Sequence, residues 1–223
     1  MNTFDNYFEH WLKQLIRQRT ETAAQPKQAT PIFEPTVELL ASQMRADKPT
    51  SPAGHRLRAN RLLALLFSHN SGCRSGDLQH VVTTTPPVHE IHGEDRYLVF
   101  ITDGLKTIEG STKLIIKPNP KASICAQRHW EVYKRHLPSP HLFAAQSKNK
   151  EDVKTSTSNL VAAWRKYAKE AGVENPNEIS DHSWRRAFTQ QAFNSGAALQ
   201  EINSQMHGKE TSKMAYHYAK RDT

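Results

Sequence analysis

The strongest constraint on the fold is a change of periodicity in the middle of the chain. Residues 97–102 (YLVFIT) and 113–117 (KLIIK) are β-rich runs separated by a turn-forming stretch, and Pro118 and Pro120 end the second run. The pair reads as a small hairpin sheet. On either side, apolar residues recur at helical steps of three and four. The order is α-rich, a small β insert, then α-rich, with no internal repeat. It predicts an α+β fold, mainly α-helical, with a small antiparallel β-sheet.

The helical segments can be placed from their stops. Phe4, Tyr7, Phe8, Trp11, Leu12, Leu15 and Ile16 form one stripe, so residues 3–18 read as an amphipathic helix. Residues 20–36 are rich in Thr, Ala, Gln and Pro and read as a linker. A short helix is expected over 37–44, a loop over 45–55, and a helix over 56–70 that stops at Ser71-Gly72. Another is expected over about 122–135. Leu160, Val161, Trp164, Tyr167 and Ala168 then share a face, with Gly172 as the stop. Asp181 is read as the cap of a helix over 182–194 that Gly196 ends, followed by helices over 197–206 and 210–221.

Composition narrows the class. With 37% hydrophobic and 23% charged residues the chain has enough apolar content for a globular core. The longest apolar run, residues 62–67, is too short to span a bilayer, and the first residues lack the basic-then-apolar order of a signal peptide. Cys73 and Cys125 form no CxxC pair, so neither a disulfide framework nor a zinc cage is expected. The twelve histidines are scattered. A cytoplasmic location follows as the expectation. Thirty Lys and Arg against 22 Asp and Glu leave a formal charge of +8 and a pI near 9.5. A polyanion is therefore the first partner to consider.

Three segments carry candidate chemistry. In SGCRSGDL, Arg74 follows the Gly72 turn and Asp77 lies one turn on, in reach of a guanidinium. Arg presents a planar fork that matches phosphate oxygens. In DHSWRRAF, His182 and Arg185 are three apart and share a helical face, a pairing suited to an anion whose protonation changes during reaction. HGKETSKMAYHYAK contributes His207, Tyr216 and Tyr218 near the end of the chain.

As an ordered set, these segments resemble the tyrosine recombinase (phage integrase) family over roughly residues 36–221. LLALLFSHNSGCRSGDLQHV is similar to the family's first arginine motif, and DHSWRRAFTQQAFNSGAALQEI to its H-x-L-R-H block. The resemblance implies the DNA breaking-rejoining catalytic fold, with residues 1–35 as an N-terminal helix and linker and 36–223 as the catalytic domain. It assigns Arg74 and Arg185 to the phosphate and Asp77 to the supporting acidic position. His182 is assigned to proton management and His207 to a hydrogen bond with the phosphate. The hairpin general acid matches Lys106, with Lys113 as a weaker candidate. Three departures stand in the chain: His207-Gly208 reverses the family's Gly-His, Arg186 replaces a common His, and Trp184 replaces a Leu. Counting nine residues from His207 reaches Tyr216, whereas Met214 and Ala215, apolar and small, stand four and three residues before Tyr218. Tyr218 is preferred as nucleophile on that pattern.

The implied reaction is attack of the tyrosine on a DNA phosphodiester to give a covalent 3′-phosphotyrosine, then religation. No cofactor is implied, because two arginines supply the charge and no clustered Asp/Glu set suits a two-metal nuclease. The implied partners are double-stranded DNA at specific sites and further copies of the chain, dimer to tetramer on DNA, with no membrane. The outcome would be integration, excision, inversion or resolution, as in mobile elements. Family members usually carry a separate helical core-binding domain, so the helix over 3–18 is expected to make a partner contact or to stand in for part of that clamp. Two alternatives remain: a type IB topoisomerase-like enzyme, and a catalytically idle DNA-binding regulator on the same fold.

Overall fold

Val37, Leu40, Ala41 and Met44 are fully buried along one face of the first helix, α1 (Glu34–Ala46), which carries Pro35 in its first turn where a missing N–H costs nothing. The computed structural model describes residues 29–82, 84–103, 110–134, 142–146, 152–206 and 215–216. After α1 come α2 (Pro52–Ser71) and the single-turn α3 (Ser75–Leu78), then strands β1 (Val88–His92), β2 (Asp95–Asp103) and β3 (Ser111–Ile116). A 3₁₀ turn (Ala122–Ile124) leads into α4 (Ala126–Tyr133), followed by the short strands β4 (Ala144–Gln146) and β5 (Asp152–Lys154). The remainder is helical: α5 (Thr157–Glu170), a 3₁₀ turn (Pro176–Glu178), α6 (Asp181–Asn194) and α7 (Leu199–Gln205).

The central element is α2. The Ser51 hydroxyl accepts the Gly54 N–H at 3.1 Å, and Pro52 takes the first helical position. These signals start the helix ahead of residue 56, where the apolar run alone would place it. Residues 62–71 are all buried, as befits a helix surrounded by protein. Around it pack α1, α4, α5, α6 and β3. Its polar end is satisfied internally: Ser71 Oγ donates to the Phe67 carbonyl at 2.7 Å, and Asn70 Nδ2 donates to the Leu66 and Ile124 carbonyls.

The sheet has three antiparallel strands in the order β1-β2-β3, with Val88 opposite Val99 and Leu98 opposite Ile116. Phe100 of β2 meets Phe67 of α2 at 5.2 Å between ring centroids and Trp130 of α4 at 4.9 Å, while Phe67 also meets Phe143 at 5.6 Å. Such pairs add roughly 0.5–1.5 kcal/mol each beyond the area they bury. They fasten the hairpin expected from residues 97–117 to the helical core. The strand β1 is an addition to that expectation. It is an edge strand whose Ile91 is 73% exposed, so its sequence carries no apolar alternation to reveal it. The β4–β5 pair is likewise new.

The helix expected over 122–135 divides, because Cys125 is extended between the 3₁₀ turn and α4. Gly172 follows α5 at φ 72°, as anticipated. Asp181 does not cap α6. Ser180 does, its Oγ accepting from the His182 N–H while its own N–H donates to Ser183 Oγ at 3.0 Å, and Asp181 is the first helical residue. The segment 29–32 enters the core beside α6: Ile32 is buried, its N–H donates to the Ser183 carbonyl, and Arg186 donates to the Ala29 carbonyl at 3.0 Å. The expected helices over 3–18 and 210–221 lie outside the described residues, apart from 215–216, which are helical. Among the described residues, no helix is long and apolar enough to cross a membrane.

Candidate functional site

Glycine is required at the turn that ends α2. Gly72 adopts φ 67°, and a Cβ there would lie 2.5 Å from Cδ1 of Phe188 on α6. That close approach lays the segment carrying Arg74 against the helix carrying His182 and Arg185. Cys73 is fully buried, and burial together with the nearby Asp77 charge pushes its thiol up to about 12. It is an unreactive packing group.

Arg74 is the N-cap residue of α3, with extended backbone and a partly exposed side chain. An arginine side chain cannot accept a hydrogen bond, so the helix takes its side-chain caps from other residues. Asp77 Oδ2 accepts the Arg74 N–H at 3.0 Å. From the second motif, Asp181 Oδ1 accepts the Ser75 N–H at 2.7 Å and also the Ser75 hydroxyl. Sequence spacing gave Asp77 to the guanidinium of Arg74. In the fold its carboxylate serves the Arg74 backbone and stands 3.8 Å from Nη1 of Arg185.

Arg185 is only 2% exposed and donates through Nη2 to the Met206 carbonyl. The Met206 end of α7 is held from three sides. Thr189 Oγ1 lies 3.1 Å from Met206 Sδ, and the Gln205 amide donates to the carbonyls of Ile115 on β3 and Ser71 on α2. Buried Trp184 packs edge-on against Trp164 at 5.2 Å, so the departure from Leu at that position fills the core.

His182 lies at the surface of this cluster. Loss of hydration lowers its pKa; the Asp181 carboxylate opposes that shift, and the positive charges of Arg74 and Arg185 reinforce it. The imidazole is therefore neutral further into the acid range than an ordinary histidine, in a form able to accept a proton. The Ser75–Asp181 bond and the Asp77–Arg185 pair hold the segment of Arg74 against the start of α6, and so bring Arg74, His182 and Arg185 into one cluster.

The other candidates divide. Lys106, His207 and Tyr218 lie outside the described residues. Lys113, the weaker lysine candidate, is on β3 with its ammonium 2.5 Å from Glu90. Tyr216 is 50% exposed and stacks on Phe193 at 5.4 Å, while its neighbour Ala215 is fully buried in a cluster with Ile202 and Met206. Sequence reasoning missed the Ser75–Asp181 link, because an Asp before a helix reads first as that helix's own cap. Among the described residues, no group of three His, Cys, Asp or Glu is placed to hold a metal.

No family model matches the sequence, and no curated protein matches it. Solved structures do. The XerH site-specific recombinase bound to its difH substrate, in a pre-cleavage complex, superposes with a TM-score of 0.59 at 12% identity, over 86% of this chain and 50% of that one. For the XerA recombinase the values are 0.59, 14%, 90% and 62%. For a lambda integrase dimer bound to a COC′ core site they are 0.57, 15%, 90% and 51%. The chain thus spans between half and about three-fifths of the length of these proteins. The likeness is one of fold: this chain shares the architecture of these recombinase and integrase structures over 86–90% of its length.

Proposed function

We propose that the chain breaks and rejoins DNA strands as a site-specific recombinase, with residues 36–223 as its catalytic domain and Tyr218 as nucleophile. The observation that carries the reading is the meeting of Arg74, His182 and Arg185 across two helices in a recombinase catalytic fold. In this reading the Tyr218 oxygen attacks the scissile phosphorus and the 5′-oxygen leaves, giving a 3′-phosphotyrosine. Arg74 and Arg185 neutralise the non-bridging oxygens as charge builds on the pentacoordinate phosphorus. Neutral His182 accepts the proton of the attacking hydroxyl, Lys106 protonates the departing 5′-oxygen, and His207 hydrogen-bonds the phosphate. Arg185 is buried and holds the Met206 carbonyl through Nη2, so a phosphate oxygen would take one of its other N–H groups. Two or four copies acting on paired sites would complete the exchange.

The burial of Ala215 supports Tyr218, since it puts the small residue inward three positions before that tyrosine. The test is covalent trapping on DNA nicked near candidate repeats, so that cleavage cannot reverse. Wild type and Tyr216→Phe should yield a protein–DNA adduct that survives denaturation, and Tyr218→Phe should yield none. Loss in Tyr216→Phe alone would move the nucleophile to Tyr216. The buried Arg185 favours one second reading, a catalytically idle DNA-binding regulator on this fold. Salt-sensitive DNA binding with no adduct from any form would select it.

A further inference from the structure

Two arginines from different segments can grip one phosphate only if their separation is held, and the contact that holds it lies outside the set of residues assigned above. α3 is a single turn of four residues and cannot be stable alone. Its first N–H groups need acceptors; the Arg74 carbonyl takes the Asp77 N–H at 2.9 Å, but the Arg74 side chain, at the N-cap, has no acceptor to offer. Ser75 is completely buried, and both its N–H and its hydroxyl go to one oxygen of Asp181, 106 residues further along the chain.

We propose that Asp181 is a positioning residue that caps α3 from a second helix, and through Ser75 fixes Arg74 relative to His182 and Arg185. The role rests on the recombinase reading for its consequence in catalysis, though not for its geometry. Asp181 and His182 are consecutive in the first turn of α6, and Arg185 stands one turn on. A bond from Asp181 to the residue after Arg74 therefore joins the two arginine motifs. Asp77 makes the second tie, from the Arg74 N–H to the Arg185 guanidinium. With two such ties, the backbone that carries Arg74 is held to α6 at two points.

Among the described residues, the charges acting on the His182 ring include Asp181 and Arg185 from α6 and Arg74 from the N-cap of α3. Asp181 raises the imidazole pKa and the two arginines lower it. This yields a signature that a merely structural contact would not produce. Asp181→Asn keeps an oxygen that can accept from Ser75 and removes the charge, so the His182 pKa should fall. Ser75→Ala keeps every charge and loosens the tie, so Arg74 should retreat and the His182 pKa should rise.

The experiment combines an NMR titration of the His182 ring with single-turnover cleavage of the nicked substrate, in wild type, Asp181→Asn, Asp181→Ala and Ser75→Ala. Opposite movements of the His182 pKa in Asp181→Asn and Ser75→Ala are expected. Cleavage by Asp181→Ala should slow on the order of 10- to 100-fold with little change in DNA affinity, as for a misplaced but intact group. Asp181→Asn should restore most of the rate, with the acid limb of its pH profile moved to lower pH. An unchanged His182 pKa in Ser75→Ala would overturn the positioning role, as would wild-type cleavage by Asp181→Ala. If wild type gives no adduct while the two pKa values move as stated, the recombinase reading fails and the positioning role stands.

Discussion

Gly72 is where backbone conformation and packing restrict a single residue twice over. Its φ of 67° lies in the left-handed region, which costs a non-glycine residue roughly 1–2 kcal/mol. The 2.5 Å approach of Phe188 leaves no room for a methyl group, and overpacking of that kind costs a further 1–3 kcal/mol or so. Gly196 has a similar φ of 81° with nothing within 4 Å of the Cβ position. Gly72→Ala should therefore lower the urea midpoint clearly more than Gly196→Ala. It should also slow strand cleavage, because the displaced turn is the one that carries Arg74. Equal effects of the two substitutions on stability would show that the Phe188 contact contributes little.

At the scale of elements, α1 and α4 are joined by a bond that depends on a neutral histidine. Arg45 Nη2 donates to His129 Nε2 at 2.7 Å and also bonds the Ser123 carbonyl. Burial, and then the Arg45 charge, push the His129 pKa from 6.5 down to about 4. The unfolded chain takes up this proton near pH 6.5 and the folded chain only near 4, so the unfolded state gains protons first as pH falls. The contribution of His129 is fully present above pH 6.5 and is lost progressively down to about pH 4. Stability measured by urea at intervals across that window should decline with falling pH. His129→Gln, whose amide oxygen can still accept from Arg45, should show a shallower decline. Parallel pH profiles for the two proteins would remove His129 from the account.

For the molecule as a whole the charge of +8 gives the most direct prediction. Neutralising about six phosphates should make the logarithm of DNA affinity fall against the logarithm of salt with a slope of about −5. The slope should be similar for unrelated DNA sequences, because phosphate contacts carry no base information. A flat response would contradict the DNA reading at its base. Over this chain the recombinase structures offer only a likeness of fold, at 12–15% identity. The DNA reading therefore stands on the residues brought together here, and the salt slope tests it independently of catalysis.

What was legible in the residues was whatever depends on neighbours in the chain. Apolar spacing revealed the long helices, Gly72 and Gly172 revealed their ends, and the runs at 97–102 and 113–117 revealed two of the three main strands. The ordered set of Arg74, a lysine-bearing hairpin, His182 with Arg185, His207-Gly208 and the late tyrosines was enough to suggest the resemblance. What the chain could not show was anything decided by a distant partner. The strand β1 pairs through backbone groups and buries little, so its side chains carry no pattern. Asp77 turned from the expected guanidinium of Arg74 to that of Arg185, because folding placed a deeper cation beside it. Asp181 left its own helix to Ser180 and capped α3 instead, since a carboxylate goes to whichever unsatisfied N–H the tertiary packing presents. Local periodicity is written into consecutive residues by helix and strand geometry. The pairing of buried polar groups is settled only when the core closes and water is no longer an available partner.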